Sequence, residues 1–247
     1  MEFVIYAPDY THRSLGVRML HWLCHRLCEL GEKAYLWRTT VKHPALRTPS
    51  IRDARTLRGP VVAVYPEVVP GNPIGGDVIV RWMLNRPGRA NKDTTPTWET
   101  DDIKLYWSEG YADTPVDLLY LPTLDRWYFH NITNPFDAKR SFKLVYSAKA
   151  AASGELVPKH GPNLADYLIP PEMLGWMLRY SKRLYLCEES SMTSEAQTCG
   201  CEVEYVFSKY LPKPPPAWHE PTEAQTVAMI RRLIDACHAK APIRRAA

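Results

Sequence analysis

Arg183-Leu-Tyr-Leu-Cys-Glu-Glu-Ser-Ser-Met-Thr-Ser-Glu-Ala-Gln-Thr-Cys-Gly-Cys-Glu-Val-Glu-Tyr-Val206 decides the fold of this chain. Leu184 to Cys187 is a short apolar run, the composition of a strand buried in a parallel sheet. Ser190 and Ser191 are helix-capping residue types, and a segment of helical composition runs from them to Cys199. Gly200 suits the left-handed turn that ends a helix. Val203 to Val206 then opens another strand. Strand, polar loop, helix, glycine, strand predicts a parallel α/β unit. In such a unit the first N–H groups of the helix face whatever lies beyond the strand ends, and phosphate is a common guest. Glu195 follows about a turn later, where a carboxylate could accept the two hydroxyls of a ribose. The plain alternative is a βαβ unit with a solvated Glu195, since doubly wound folds serve many purposes.

The segment Glu-Ser-Ser-x-x-x-Glu-Ala-x-x-x-Gly, here Glu189 to Gly200, resembles the donor-site segment of GT-B-fold nucleotide-sugar glycosyltransferases. The resemblance implies that the hydroxyls of Ser190 and Ser191 touch a diphosphate and that Glu195 holds the ribose. A second glutamate, Glu188, precedes Glu195 by seven positions, one fewer than the family's usual spacing. A further phrase, Tyr65-Pro-Glu-x-x-x-Gly-Asn-Pro73 followed by Arg81-Trp-x-Leu-Asn-x-Pro-Gly88, resembles the N-terminal domain of a subset of bacterial polysaccharide glycosyltransferases.

Read in order, the chain begins with a strand, Phe3 to Tyr6, with no signal peptide ahead of it. A polar loop follows, in which Ser14 can cap the next helix. Leu20, Leu23, Leu27 and Leu30 recur at helical spacing up to Gly31, and Ala34 to Trp37 is a second strand. The resemblance places an acceptor loop here, with Asp9, His12 and Ser14 as candidate contacts. His21, Cys24, His25 and Cys28 share this helix, but one helix can aim only an i, i+4 pair at one ion, so no metal site is expected.

Residues 41 to 59 are basic and broken by prolines, as in a loop. Val61 to Tyr65 is a buried strand, and the turn-rich segment 66 to 76 follows it. Asp77 to Leu84 is expected to be a short helix under that loop. Glu67, just past a strand end, is a candidate base or acceptor contact, or a tie within its loop; Asn72 is a candidate acceptor contact. Ile103 to Trp107 and Leu118 to Leu121 are expected as strands.

A proline-rich connector at 122 to 138 separates two expected domains, 1–130 and 131–247. The second restarts with a strand from Arg140 into a small-residue loop at Lys149. The resemblance makes Lys149 and Arg140 candidates to neutralise a diphosphate, and puts His160 and Gly161 near a nucleobase. Pro170 to Ser181 reads as a helix with proline in its first turn. Lys213-Pro-Pro-Pro216 is a stiff linker. Thr222-x-x-Gln225 is a capping box, and Val227, Ile230, Ile234 and Cys237 form an apolar stripe. GT-B proteins often end on a helix that crosses back to the first domain.

Composition narrows the function classes. A net charge of +4 on 247 residues fits anionic nucleotides or phosphorylated acceptors and is too weak to argue for nucleic acid by itself. No run reaches the length of a membrane span, and six scattered cysteines suggest reduced thiols in a cytoplasm. No Walker loop, zinc pattern, Gly-x-Ser-x-Gly elbow or Asp-x-Asp motif occurs. The expected protein is therefore an α/β glycosyltransferase of two Rossmann-like domains facing a cleft. It would be metal-independent, more in the pattern of retaining enzymes, and without a cofactor beyond its nucleoside diphosphate sugar. A glycan is the expected acceptor. Two other readings stay open. One is an enzyme glycosylating a modified DNA base, with the Arg47 to Arg58 stretch and the Arg244-Arg245 tail as its DNA footprint. The other is a nucleotide-sugar or nucleic-acid binding module without turnover.

Overall fold

Alternation along the first strand sets the architecture of the N-terminal half. Phe3 and Ile5 enter one apolar cluster, and Val4 enters another on the opposite side of the sheet. The computed structural model describes residues 1–89, 92–132, 140–155, 157–211 and 221–241. They divide into two units, Met1–Thr123 with Glu220–Ala247, and Leu124–His219. The linker at Lys213–Pro216, the Arg244-Arg245 pair and residues 133–138 of the connector lie outside the described residues.

In the first unit β1 (Glu2–Ile5), β2 (Lys33–Trp37), β3 (Ser50–Ile51), β4 (Val61–Pro66), β5 (Val78–Met83) and β6 (Ile103–Tyr106) form one parallel sheet. Its order is β3-β2-β1-β4-β5-β6, the Rossmann order. Helix α1 (Leu15–Glu29) joins β1 to β2, capped by Ser14 and followed by Gly31 at φ 89°. Among the described residues the other connections between these strands hold no α-helix. The same face is completed by α5 (Glu223–Lys240), whose capping box of Thr222 and Gln225 is formed. Ile230, Leu233, Ile234 and Cys237 of α5 pack with Leu20, Leu23 and Leu27 of α1 over Val62, Val64, Val80 and Trp82.

Loops cover the opposite face. Val69 and Ile74, from the segment after β4, and Ala54 pack on Val4, Ala63 and Tyr65. A buried loop carries backbone groups that no helix satisfies, so side chains must do it. Arg81 of β5 donates to the carbonyls of Val69 at 3.2 Å and Gly71 at 2.7 Å, and to Asp102 at 2.8 Å. Its guanidinium lies 5.0 Å from the Tyr65 ring and 5.6 Å from that of Trp98. Gly76 lets the loop approach β4, since a Cβ there would lie 2.5 Å from that of Ala63.

Two sequence expectations are corrected here. Residues 78–83 are strand β5, not a helix. Val78, Val80 and Trp82 face α1 and α5, while Ile79 and Arg81 face the loops, so the run is buried on both sides. Leu118 to Leu121 pairs with β6 through the Tyr106–Leu118 bridge and its flanking hydrogen bonds, without forming a strand.

The second unit repeats the scheme at smaller scale. β7 (Phe142–Tyr146), β8 (Ser181–Leu186) and β9 (Glu202–Tyr205) are parallel in that order. Helices α3 (Pro171–Tyr180) and α4 (Met192–Thr198) are the crossovers, and both pack with Leu144, Leu184 and Leu186. The short helix α2 (Lys149–Ala152) follows β7, and its Ala150 lies against Val145, Tyr185 and Cys187 on the other face.

The side chains of Arg81 and Asp102 are 1 % and 2 % exposed. Removing one partner leaves an uncompensated buried charge, so Arg81→Met should destabilise the first unit by about 3–5 kcal/mol. The double variant Arg81→Met/Asp102→Leu should lose less than Arg81→Met alone. Urea midpoints of the three proteins test this.

Candidate functional site

Ligands of open parallel α/β sheets lie beyond the carboxyl ends of the strands, and each unit offers one such edge. In the second unit the loops after β7 and β8 are tied together there. The buried Glu188 carboxylate accepts the N–H of Ala148 at 3.0 Å and of Lys149 at 2.6 Å. This brings Lys149, at the start of α2, beside the loop that carries Ser190 and Ser191. Asn163 holds the same loop from the other side, accepting from Ser147 N and donating to Ser147 O, each at 3.0 Å. Ser208, past β9, donates to the Cys187 carbonyl at 2.6 Å.

Ser190 Oγ accepts from Met192 N at 3.2 Å, so Ser190 makes the local cap. Ser191 occupies the cap position with helical backbone angles. Its hydroxyl instead meets Glu195 Oε1 at 3.4 Å. Glu195 lies in the first turn of α4 and is 3 % exposed. Lys149 is half-buried. Thus Lys149, Ser190, Ser191 and Glu195 share one edge.

Three donor-side candidates make structural contacts. Glu188 is a tie between two loops, because both of its hydrogen bonds go to backbone of the neighbouring segment. Arg140 sits at the opposite end of the sheet. It donates to the Cys199 carbonyl at 3.0 Å and to Asn131 at 2.9 Å, and so caps the end of α4 above Gly200. His160 stacks on Tyr185, centroids 4.5 Å apart, and Gly161 packs on the Lys143 carbonyl beside β7. Sequence reading missed Ser147, Asn163 and Ser208; the Gly-Pro-Asn run at 161–163 was the available signal for a turn.

In the first unit the same edge gathers the acceptor-side candidates, mostly in structural roles. Asp9 accepts from Thr40 N at 2.7 Å and Val41 N at 2.9 Å. These N–H groups hold its carboxyl below the usual range. Glu67 Oε2 accepts from Leu84 N at 3.0 Å and its carbonyl from Thr94 at 2.6 Å. Asn72 Oδ1 accepts from Tyr65 at 2.7 Å and from Gly75 and Gly76, so its side chain shapes its own loop. Ser14 caps α1 through Val17 N at 3.3 Å. His12 is half-buried and already engaged. Asp9, Ser14, Glu67 and Asn72 thus each support the edge through hydrogen bonds within the unit, and for Glu67 this is the loop tie among its expected roles.

His21 also faces this edge. Its Nε2 donates to the Pro8 carbonyl at 3.0 Å, while its buried Nδ1 has no partner among the described residues. Cys24 and Cys28 share a hydrogen bond that brings the Cys28 thiol down to about 6, helped by the Ala34 carbonyl contact and by Arg47, and burial opposes this. All six cysteines are free and buried. Among the described residues no group of three or more His, Cys, Asp or Glu could hold a metal ion, and no helix is long and apolar enough to cross a membrane.

Burial holds the His21 pKa below its ordinary value, against the pull of Pro8 and Asp9. The unfolded chain takes up this proton first, at about pH 6.5. The stability His21 contributes is full above that pH and is lost as pH falls through the lower folded value. A His21→Gln variant should therefore show a flatter fall in urea midpoint between about pH 7 and pH 5.5 than the parent chain. Equal slopes would contradict a neutral buried imidazole.

Compared with protein-family models, curated proteins and solved structures, the chain has no match.

Proposed function

We propose that this chain is a glycosyltransferase that moves a sugar from a nucleoside diphosphate sugar to a hydroxyl of a glycan. The observation that carries the reading is the Glu188 tie, which seats Lys149 beside the Ser190-Ser191 loop at the carboxyl edge of β7 and β8. One cation and two hydroxyls beside each other are the groups a diphosphate needs. Glu195, next to Ser191, supplies the carboxylate for ribose hydroxyls, with the ribose replacing the Ser191 contact. In this reading the second unit is the donor-side half and the first unit the acceptor-side half of a GT-B arrangement.

The chemistry follows from those positions. The bond from the sugar's anomeric carbon to the diphosphate oxygen breaks, a bond to the acceptor oxygen forms, and the proton of that hydroxyl passes to the leaving diphosphate. Negative charge grows on the leaving diphosphate. The Lys149 ammonium meets that charge from a side chain whose backbone is anchored at this edge, and the interaction strengthens as the charge grows in the transition state.

Dissociation constants for a panel of nucleosides, monophosphates and diphosphates, measured by calorimetry with chelator present, test the assignment. Lys149→Ala should weaken diphosphates far more than nucleosides and lower turnover beyond the loss of binding. Glu195→Ala should weaken nucleosides and nucleotides alike by about 1–3 kcal/mol, the scale of a charged hydrogen bond. Equal losses across all ligands for Lys149→Ala would remove the diphosphate from this edge. Binding without donor hydrolysis or transfer would leave a binding module instead of an enzyme.

A further inference from the structure

The edge of the six-stranded sheet at β2 and β3 carries an unusual charge. From Arg38 to Arg58 the exposed residues include Arg38, Lys42, Arg47, Arg52, Arg55 and Arg58, against one carboxylate, Asp53. That carboxylate is already held by Arg55 at 2.7 Å. Five of the six cations are arginines, whose planar fork matches phosphate and carboxylate groups.

Arg38 gives the edge a built feature. It follows β2 directly, at the carboxyl end where this sheet order binds ligands. Its φ is 58°, the one positive φ at a non-glycine position among the described residues. A side chain in that region is strained relative to glycine, and such strain gathers at functional positions. Its guanidinium lies 4.5 Å over the Trp37 ring and its Nε donates to the Arg52 carbonyl at 3.3 Å. Both terminal nitrogens are without a hydrogen bond among the described residues. The fork is thus pre-oriented and exposed beside Arg52.

We propose that this edge binds an anionic glycan, one bearing carboxylate or phosphate groups along its chain, as the acceptor of the sugar transfer. The term acceptor rests on the transferase reading; the polyanion surface does not. Exposed cations spread along a strand edge suit repeated charges on a polymer better than one buried small anion. A bilayer would need apolar anchors among the cations, and Val41 is the one large exposed apolar residue on this edge; the others lie in the second unit. Duplex DNA would call for an element that enters a groove, whereas β3 has two residues and the 3-10 turn after it, Ala54–Thr56, has three. The sequence pI of about 8.7 is also below that of strongly basic nucleic-acid binders.

The test is affinity electrophoresis of the full chain at low and high salt in gels containing polygalacturonate, a ribitol-phosphate polymer, neutral dextran or no polymer. Duplex DNA and anionic vesicles are run as parallel binding assays. Retardation is expected in at least one anionic glycan, identifying carboxylate or phosphate as the preferred group, and should weaken with salt. The Arg38→Gly/Arg52→Ser variant should bind at least about tenfold more weakly, the scale of two lost charged contacts. Its melting temperature should be equal or higher, because glycine relieves the strained φ. No retardation, retardation unchanged in the variant, or binding to DNA or vesicles in place of the glycans would overturn the proposal. Nucleoside diphosphate binding is measured on the parent chain as well: its absence where the glycan binds would count against the donor site alone.

Discussion

The buried pair of Arg81 and Asp102 is the interaction on which the first unit depends. The Rossmann order normally brings helices to both faces of the sheet, and a helix satisfies its own backbone. Here one face has α1 and α5, and the other has loops. Covering a parallel sheet with a loop exposes carbonyls to an apolar interior, where each unmet group costs about 1–3 kcal/mol. Arg81 answers two of them, and Asp102 neutralises the cation this requires. Tyr65 and Asn72 accept the N–H groups of Ile74, Gly75 and Gly76, while Thr94 meets the Glu67 carbonyl and Thr97 the Gly71 N–H. Once the loop takes this path, Gly76 has to be small. The phrase from Tyr65 to Asn85 is therefore one folding device, and its chemistry-bearing residues are already employed in it.

That device explains what the sequence concealed. A helix read at 77–84 is the natural error for a continuous apolar run, since burial on both faces removes the period-two signal. The β-branched Val78-Ile79-Val80 was the clue against it. Strands β1, β2, β4, β7, β8 and β9 were legible within a residue or a few, because polar loops bound each apolar run. Helix ends were legible where chemistry marks them: Ser14 and Gly31 on α1, the capping box on α5, Gly200 after α4. Site residues were less legible. Residue type and neighbourhood pointed to Asp9, Glu67 and Glu188, but whether a carboxylate faces a ligand or a neighbouring backbone depends on a second segment far away in sequence. Thr40, Leu84 and Lys149 were those segments.

The three carboxylates follow one rule across both units. Asp9 comes after β1 and binds the loop after β2. Glu67 comes after β4 and binds the residue after β5. Glu188 comes after β8 and binds the loop after β7. Each pair of strands is adjacent in its sheet. Parallel strands end in register, so the first N–H groups past each end face the same space with no ladder partner. An acid on the neighbouring strand's exit supplies the missing acceptor and locks both loops.

This arrangement also sets the charge of the edges. A carboxylate that accepts two backbone N–H groups has much of its field cancelled at short range, as the lowered pKa of Asp9 reflects. Glu67 and Glu188 are buried in these ties and Asp9, though exposed, is engaged with backbone N–H groups, while Lys149 in one unit is half-buried and Arg38 and Arg52 in the other are exposed. Ties through Asp9, Glu67 and Glu188 fix the loops of the two edges at which the proposed anionic ligands would meet Lys149, Arg38 and Arg52. Rigidity matters as much as sign: a cation held before the ligand arrives loses less entropy on binding, and its field is already in place when charge develops in a reaction.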